Sequence, residues 1–193
     1  MIFESADQLT MHFASNLGLR ALELESCTKL DSLPELPSSL VYLDVCNCPR
    51  LTSLPALPSG LSCLRVNLCF GLTTLPELPS SLTELRLDFC SRILSLPALP
   101  NSLIDLLISG CSGLELLPAL PGKLDRLLVN NCSGLELLPA LPESLSRLLI
   151  YNCRGLTSVP ALPGSLTSLR VFDCPRLTTG SAIQIGKLNI ELR

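Results

Sequence analysis

The chain has 193 residues, of which 49 are Leu and 16 are Pro, and only 4% are aromatic. An interior built on large rings is therefore excluded, and Leu must fill it. The net charge of −3 offers no basic field for nucleic acid or anionic lipid. No apolar run reaches the roughly 18 residues of a membrane span, and the acidic start is not typical of a signal peptide. We expect neither nucleic-acid nor membrane binding.

The first predicted element is a helix near residues 6–15. The segment Ser5 to Gln8 has the form of a capping box, with Ser5 at the N-cap and Gln8 three residues later. Leu9 and Phe13 would share one face of this helix. Residues 1–18 are therefore predicted to form an N-terminal helical cap over the first repeat, and a helix that binds a partner is the alternative.

A repeat with a period of 21 residues follows. Eight of the ten Cys recur at this interval, at positions 27, 48, 69, 90, 111, 132, 153 and 174. Other columns keep the same period in the pattern LxxLxLxxCxxLxxLPxLPxx, as residues 82–102 show. Residues 19–186 therefore divide into eight units with positions numbered 1 to 21, and the last unit is degenerate because it lacks both prolines. A fixed period of this length predicts a solenoid.

Each unit predicts one short strand and one extended return segment. In the LxLxx stretch, positions 4 and 6 face the interior and positions 3, 5 and 7 face solvent. Because Pro lacks an N–H and disfavours helix in the residue before it, the LPxLP half is predicted to be extended or polyproline-like. The predicted fold is an α/β solenoid, a horseshoe with a concave parallel β-sheet, a thin convex side and a short capping helix.

The regular Cys spacing argues against disulfides and against zinc, because zinc ligands come in close pairs with His nearby, and His12 is the only His. At position 9 the thiol is expected to pack as a small hydrophobe and to satisfy backbone groups of the turn. A column of reduced thiols predicts a reducing, cytoplasmic compartment. No metal and no cofactor are expected.

The last predicted element is a terminal capping strand within residues 187–193. Leu188, Ile190 and Leu192 alternate, and the last two align with positions 4 and 6 of a ninth unit. The outer edge of such a strand is open, so the chain could associate with a second copy there.

The repeat resembles the leucine-rich repeat, whose mark is L-x-x-L-x-L-x-x-N/C-x-L, from Leu19 to about Leu177. The doubled LPxLP before SL, as in residues 75–87, is similar to the short repeats of bacterial effectors of the invasion-plasmid-antigen family, with Cys in place of Asn. In that family the repeats select a target and a separate ligase domain uses a Cys-x-Asp motif. No Cys here precedes Asp by two residues. The resemblance implies the recognition part of an effector, without a ligase domain, acting in the host cytosol.

The strand positions that face solvent identify a candidate interface. Position 5 carries charges in units 1 to 4 and 8, but Leu in units 5 to 7. The repeat pattern does not require these leucines, and aromatic and Arg residues surround them, as is typical of protein interfaces. The candidate partner-binding residues, here called the concave Leu patch, are Leu107, Leu128, Leu149, Tyr151, Phe172, Arg126, Arg147 and Arg170.

We expect a non-enzymatic scaffold that binds a protein or peptide on its concave sheet. One alternative is a regularised or designed array without a natural ligand, which the near-identical segments 111–121 and 132–142 favour. Another is a module that associates with itself through the concave patch or the terminal edge. The varied charges at positions 3, 5 and 7 favour recognition. An enzyme is not expected, because nucleotide-binding motifs and a Ser/His/Asp set are missing from the sequence.

Overall fold

A computed structural model describes residues 2–177 and the backbone of residues 189–192. In these residues one helix, α1 (Ala6–Ser15), precedes the strands β1 (Ala21–Glu25), β2 (Tyr42–Cys46), β3 (Cys63–Asn67), β4 (Glu84–Asp88), β5 (Asp105–Ser109), β6 (Arg126–Asn130), β7 (Arg147–Tyr151), β8 (Ser168–Phe172) and β9 (Asn189–Leu192). All nine strands form one parallel sheet in chain order. Residue i lies opposite residue i+21 in every pair. The predicted parallel-sheet solenoid is confirmed. The segment of the last unit that lacks both prolines lies outside the described residues.

The strands alternate as predicted. In β2, Leu43 and Val45 are fully buried while Tyr42, Asp44 and Cys46 are half-buried. Buried residues at positions 1, 9, 12 and 15 join the strand residues in one continuous core. The core therefore runs the length of the stack, and each unit supplies the same few side chains to it.

The repeat pattern also predicts that the Leu at position 18 fills the interior, and most units depart from this prediction. Leu36 is buried, but the leucines of the next six units are only partly covered: Leu57, Leu78, Leu99, Leu120, Leu141 and Leu162. The outer layer is a single extended segment, so a side chain there has neighbours on its inner side and flanks only. These leucines pack against the core without belonging to its fully covered part.

The helix α1 closes the first unit. The Ser5 hydroxyl accepts a hydrogen bond from the Gln8 amide at 3.3 Å, and the Gln8 side chain accepts one from the Glu4 amide at 2.7 Å. Leu9 is fully buried and Phe13 half-buried against the core. The predicted capping helix is confirmed, although Gln8 reaches one residue beyond the expected N-cap amide.

The return segments contain no helix in residues 16–177. Neighbouring returns are linked at position 13, where the Glu115 amide donates to the Leu94 carbonyl and the Thr157 amide to the Glu136 carbonyl, each at 3.0 Å. The LPxLP half is therefore extended, as the prolines predict. A thin extended layer opposite a sheet curves the stack with the strands on its concave side.

A serine ladder explains the Ser that precedes Leu in most units. At position 21 the hydroxyl donates to the position 1 carbonyl 20 residues earlier, at 2.6–2.8 Å, in five units: Ser39, Ser81, Ser102, Ser144 and Ser165. Gly60 occupies the same position in unit 2, where an added Cβ would lie 4.0 Å from the Leu40 carbonyl oxygen. A Ser side chain fits there without a clash.

The turn after each strand uses a left-handed residue at position 8 that the sequence pattern did not reveal. φ lies between 52° and 66° in all eight units, at Ser26, Asn47, Leu68, Phe89, Gly110, Asn131, Asn152 and Asp173. This conformation lets the position 8 amide donate to the position 7 carbonyl of the next unit, as Asn47 does to Asn67 at 2.8 Å. The turn thereby continues the backbone hydrogen bonding of the sheet past the end of the strand.

We predict that Gly60→Ser raises the free energy of unfolding by about 1 kcal/mol relative to Gly60→Ala, because only Ser supplies the missing hydrogen bond to Leu40. Both variants reduce the freedom of the unfolded chain, so their difference isolates the hydroxyl. Urea denaturation measures it. Equal stabilities of the two variants would show that the serine ladder contributes nothing.

We also predict that Asn131→Ala lowers the free energy of unfolding by about 1 kcal/mol, since Asn adopts the left-handed region at less cost than other residues with a Cβ do. Asn131 is exposed, so little packing is lost. Asn131→Gly is the matched control, because Gly adopts this conformation freely, and it should stay closer to the parent chain. An Ala variant as stable as the Gly variant in chemical denaturation would contradict the left-handed turn.

Candidate functional site

The three leucines of the concave Leu patch lie on neighbouring strands. Leu107 pairs with Leu128 and Leu128 with Leu149, and Arg170 follows on β8. The leucines are half-buried rather than fully exposed. Strands are spaced about 4.8 Å apart, so each leucine covers the flank of the next. The result is a continuous apolar stripe across three strands.

Aromatic side chains border the stripe on one side. Tyr151 lies opposite Phe172 in the pairing of β7 with β8, two residues along each strand from position 5 and on the same face. Phe172 is 43% exposed. The sheet therefore brings the predicted aromatic residues beside the leucines.

Arg126 and Arg147 border the other side, and both contact carboxylates. Arg126 Nε lies 3.2 Å from Asp105 Oδ1, and Arg147 Nη2 lies 3.3 Å from Asp125 Oδ2. These pairs were not predicted. A guanidinium carries five N–H donors, so an arginine that contacts one carboxylate keeps other donors for a partner. Arg170 is exposed, and its neighbour on β9 is Glu191, whose side chain lies outside the described residues.

The Asp125 carboxylate is held in its charged form. The Ser146 hydroxyl donates to Asp125 Oδ1. This hydrogen bond first, and the Arg147 guanidinium second, hold the pKa of Asp125 below its ordinary value. Asp125 is thus a fixed anion that positions Arg147 at the border of the patch.

The first half of the concave face is polar and largely paired within the chain. Arg65 donates from Nε to Glu84 at 2.9 Å and lies over the Tyr42 ring at 5.6 Å. Arg86 pairs with Asp88. A shallow cavity of about 140 Å³ lies among these groups, lined by Asp44, Cys46, Arg65, Val66, Asn67, Arg86 and Asp88. Because most charges in this half already pair within the chain, a partner would gain less by contacting them than by covering the apolar stripe.

The Cys column is structural. Thiols at position 9 donate to the carbonyl of the residue two before them, as Cys153 does to Tyr151 at 3.3 Å and Cys132 to Asn130 at 3.3 Å. Burial raises the pKa of Cys132, and it raises that of Cys153 to about 11. Cys132 and Cys153 are therefore protonated at neutral pH, and the hydrogen bonds of the column agree with the predicted role of its thiols in the turn.

The two Cys outside the column are not activated either. Burial raises the pKa of Cys63 to about 11, and burial followed by the nearby Asp44 raises that of Cys46. No disulfide joins any of the ten Cys, all of which lie in the described part of the chain. Residues 2–177 contain no group of three or more His, Cys, Asp or Glu arranged to hold a metal ion.

No protein-family model matches the chain, and no curated protein matches it. Among solved structures, the leucine-rich repeat domain of the type III effector XopL is similar with a TM-score of 0.60 and 23% identity over 90% of this chain and 76% of that one. YopM from Yersinia enterocolitica WA-314 matches with 28% identity over 90% of this chain and 51% of YopM, at a TM-score of 0.37. The fold is that of a leucine-rich repeat protein, a horseshoe solenoid. No helix among the described residues is long and apolar enough to cross a membrane.

We predict that Ser146→Ala raises the pKa of Asp125 toward its ordinary value. Because the pKa of Asp125 is depressed in the folded chain, its contribution to stability is present above the ordinary Asp pKa of about 3.9 and is lost as the pH falls. The stability gap between the parent chain and Ser146→Ala should therefore shrink between about pH 5 and pH 2. Urea denaturation at several pH values measures this gap.

The control is Ser62→Ala, at the same position of unit 3, where the hydroxyl donates to the Val41 backbone carbonyl at 3.0 Å. Its stability gap should not vary with pH across that range. If the two variants showed the same pH dependence, Ser146 would not be holding the Asp125 charge.

Proposed function

We propose that this chain is a non-enzymatic recognition scaffold that binds a protein or peptide on the second half of its concave sheet. We also propose that it is the recognition part of a bacterial effector acting in the host cytosol. The observation that carries the proposal is the alignment of Leu107, Leu128 and Leu149 across three paired strands. The fold shared with the XopL repeat domain supports the effector role.

The fold itself does not demand leucine at position 5. Asp44, Arg65, Arg86 and Arg170 occupy that position in other units, on strands of the same length and register. Apolar surface exposed to water costs free energy, at about 25 cal/mol for each Å² that a partner would cover. Three adjacent leucines where the repeat accepts charges are best explained by a partner that covers them.

The border residues suit a partner with acidic groups around an apolar centre. Tyr151 and Phe172 extend the apolar surface, and aromatic and Arg residues commonly dominate binding energy. Arg147, positioned by Asp125, and the exposed Arg170 can donate to carboxylates of the partner. Arg126, whose Nε lies 3.2 Å from Asp105 Oδ1, borders the apolar surface beside Arg147.

Substituting both Leu128 and Leu149 by Asp tests the proposal. Two carboxylates would then be desolvated in the interface without partners, so capture of bound proteins from host-cell lysate should fall at least about tenfold, equivalent to about 1.4 kcal/mol. Quantitative mass spectrometry of the captured proteins measures the change. Thermal unfolding checks that the variant folds, which we expect because Asp44 occupies the same position in unit 2.

The matched control is Ile2→Asp with Leu17→Asp, which changes two exposed apolar side chains that precede β1. If the proposal is right, some proteins are captured by both the parent and the control but not by the concave variant. Equal capture by all three chains would contradict it. A molar mass by light scattering that falls from dimer to monomer only in the concave variant would instead assign the patch to self-association.

A further inference from the structure

A second set of unexplained leucines lies on the outer side of the solenoid, away from the strands. Leu94 is 57% exposed, Leu116 63% and Leu137 52%, in three consecutive units. They sit at positions 13 and 14, between the buried apolar residues of positions 12 and 15. Exposed leucines clustered in this way form a patch rather than isolated surface residues.

The repeat does not require these leucines. Position 14 is Ser or Thr in the other units whose return segment is described: Ser32, Ser53, Thr74, Ser95 and Ser158. Ser95 and Ser158 make the same parallel bridge as the leucines, since Ser95 pairs with Leu116 and Leu137 with Ser158. The backbone is therefore the same whether Ser or Leu occupies the position.

A cleft lies between Leu116 and Leu137 on the outer side. It has a volume of about 390 Å³ and is lined by Glu115, Leu116, Gly134, Glu136 and Leu137. Gly134 contributes only backbone to the lining. The cleft is thus apolar on two sides and open enough to receive a side chain from outside.

Two carboxylates border the same cleft. Glu115 and Glu136 are both exposed, and within the described residues neither lies within ion-pair distance of a Lys or Arg nitrogen. They occupy position 13 of adjacent units, where the stacked backbones are about 5 Å apart, so the two negative charges repel each other. Thr52, Thr73 and Thr157 occupy this position in other units, so the charges are not needed for folding either.

We propose that this outer cleft binds a peptide segment of a partner protein in which a Lys or Arg side chain stands beside aliphatic residues. The cation would lie between Glu115 and Glu136, and the aliphatic groups would cover Leu116 and Leu137. A second copy of the chain fits less well, because a symmetric contact would bring four carboxylates together in a chain of net charge −3. The site is separate from the concave Leu patch.

The test is a selection of random 12-residue phage-displayed peptides on the parent chain, with counter-selection on the double variant Leu116→Ser and Leu137→Ser. Because Ser is the residue of other units, this variant keeps the fold and loses only the apolar walls. We expect enriched peptides that carry Lys or Arg next to Leu, Ile or Val. Their affinity for the Ser variant should be at least about tenfold weaker by titration calorimetry.

A second variant tests the charges. Glu115→Thr with Glu136→Thr should weaken the selected peptides at least about fivefold at low salt and reduce their salt dependence, because charge attraction is screened by ions. Leu128→Asp with Leu149→Asp should leave their binding unchanged, which separates this proposal from the concave one. No enrichment, enriched peptides without cations, or full binding to the Thr variant would each overturn the outer site.

Discussion

The structure depends on one constraint, the in-register stacking of units that cannot bury their own leucines. A five-residue strand such as β6 buries only Leu127 and Val129 on its inner face, and the units on either side must complete their cover. Residue i faces residue i+21 in every strand pair. Truncating one buried Leu to Ala costs about 2–5 kcal/mol, so no column position can change freely. The constraint places equivalent positions of all units in equivalent surroundings.

That equivalence explains how much the sequence could predict. Alternation defined the strands, the prolines excluded an outer helix, and the capping box located α1, because each signal is local. Position 8 could not be predicted, since its residues range from Gly110 to Phe89 and share a backbone conformation rather than a chemistry. At the candidate site, the pairing of Arg147 with Asp125 joins residues 22 apart through the stacking, which only the register reveals. The position 5 leucines are half-buried for the same reason, because the register places leucines 21 residues apart side by side.

The same constraint distinguishes residues that are needed for folding from residues that are available for binding. Among the described residues, two groups of leucines that the repeat does not require lie in overlapping units, one on the concave sheet and one on the outer side. Their borders differ in charge, with Arg126, Arg147 and Arg170 around the first and Glu115 and Glu136 around the second. Complementary partners would therefore also differ, one acidic and one basic, and one scaffold could hold both at once. The register of the stack sets the spacing between them.

Residue-resolved amide hydrogen exchange tests most directly whether the 21-residue register holds together the stacked units of the described residues. The position 8 amides lie just beyond each strand and are bonded only to the next unit, as in Leu68 to Asp88 and Asn131 to Tyr151, both at 2.9 Å. In the central units, these amides should exchange as slowly as the neighbouring strand amides, through global unfolding alone. Exchange at the rate of exposed turns would contradict the register.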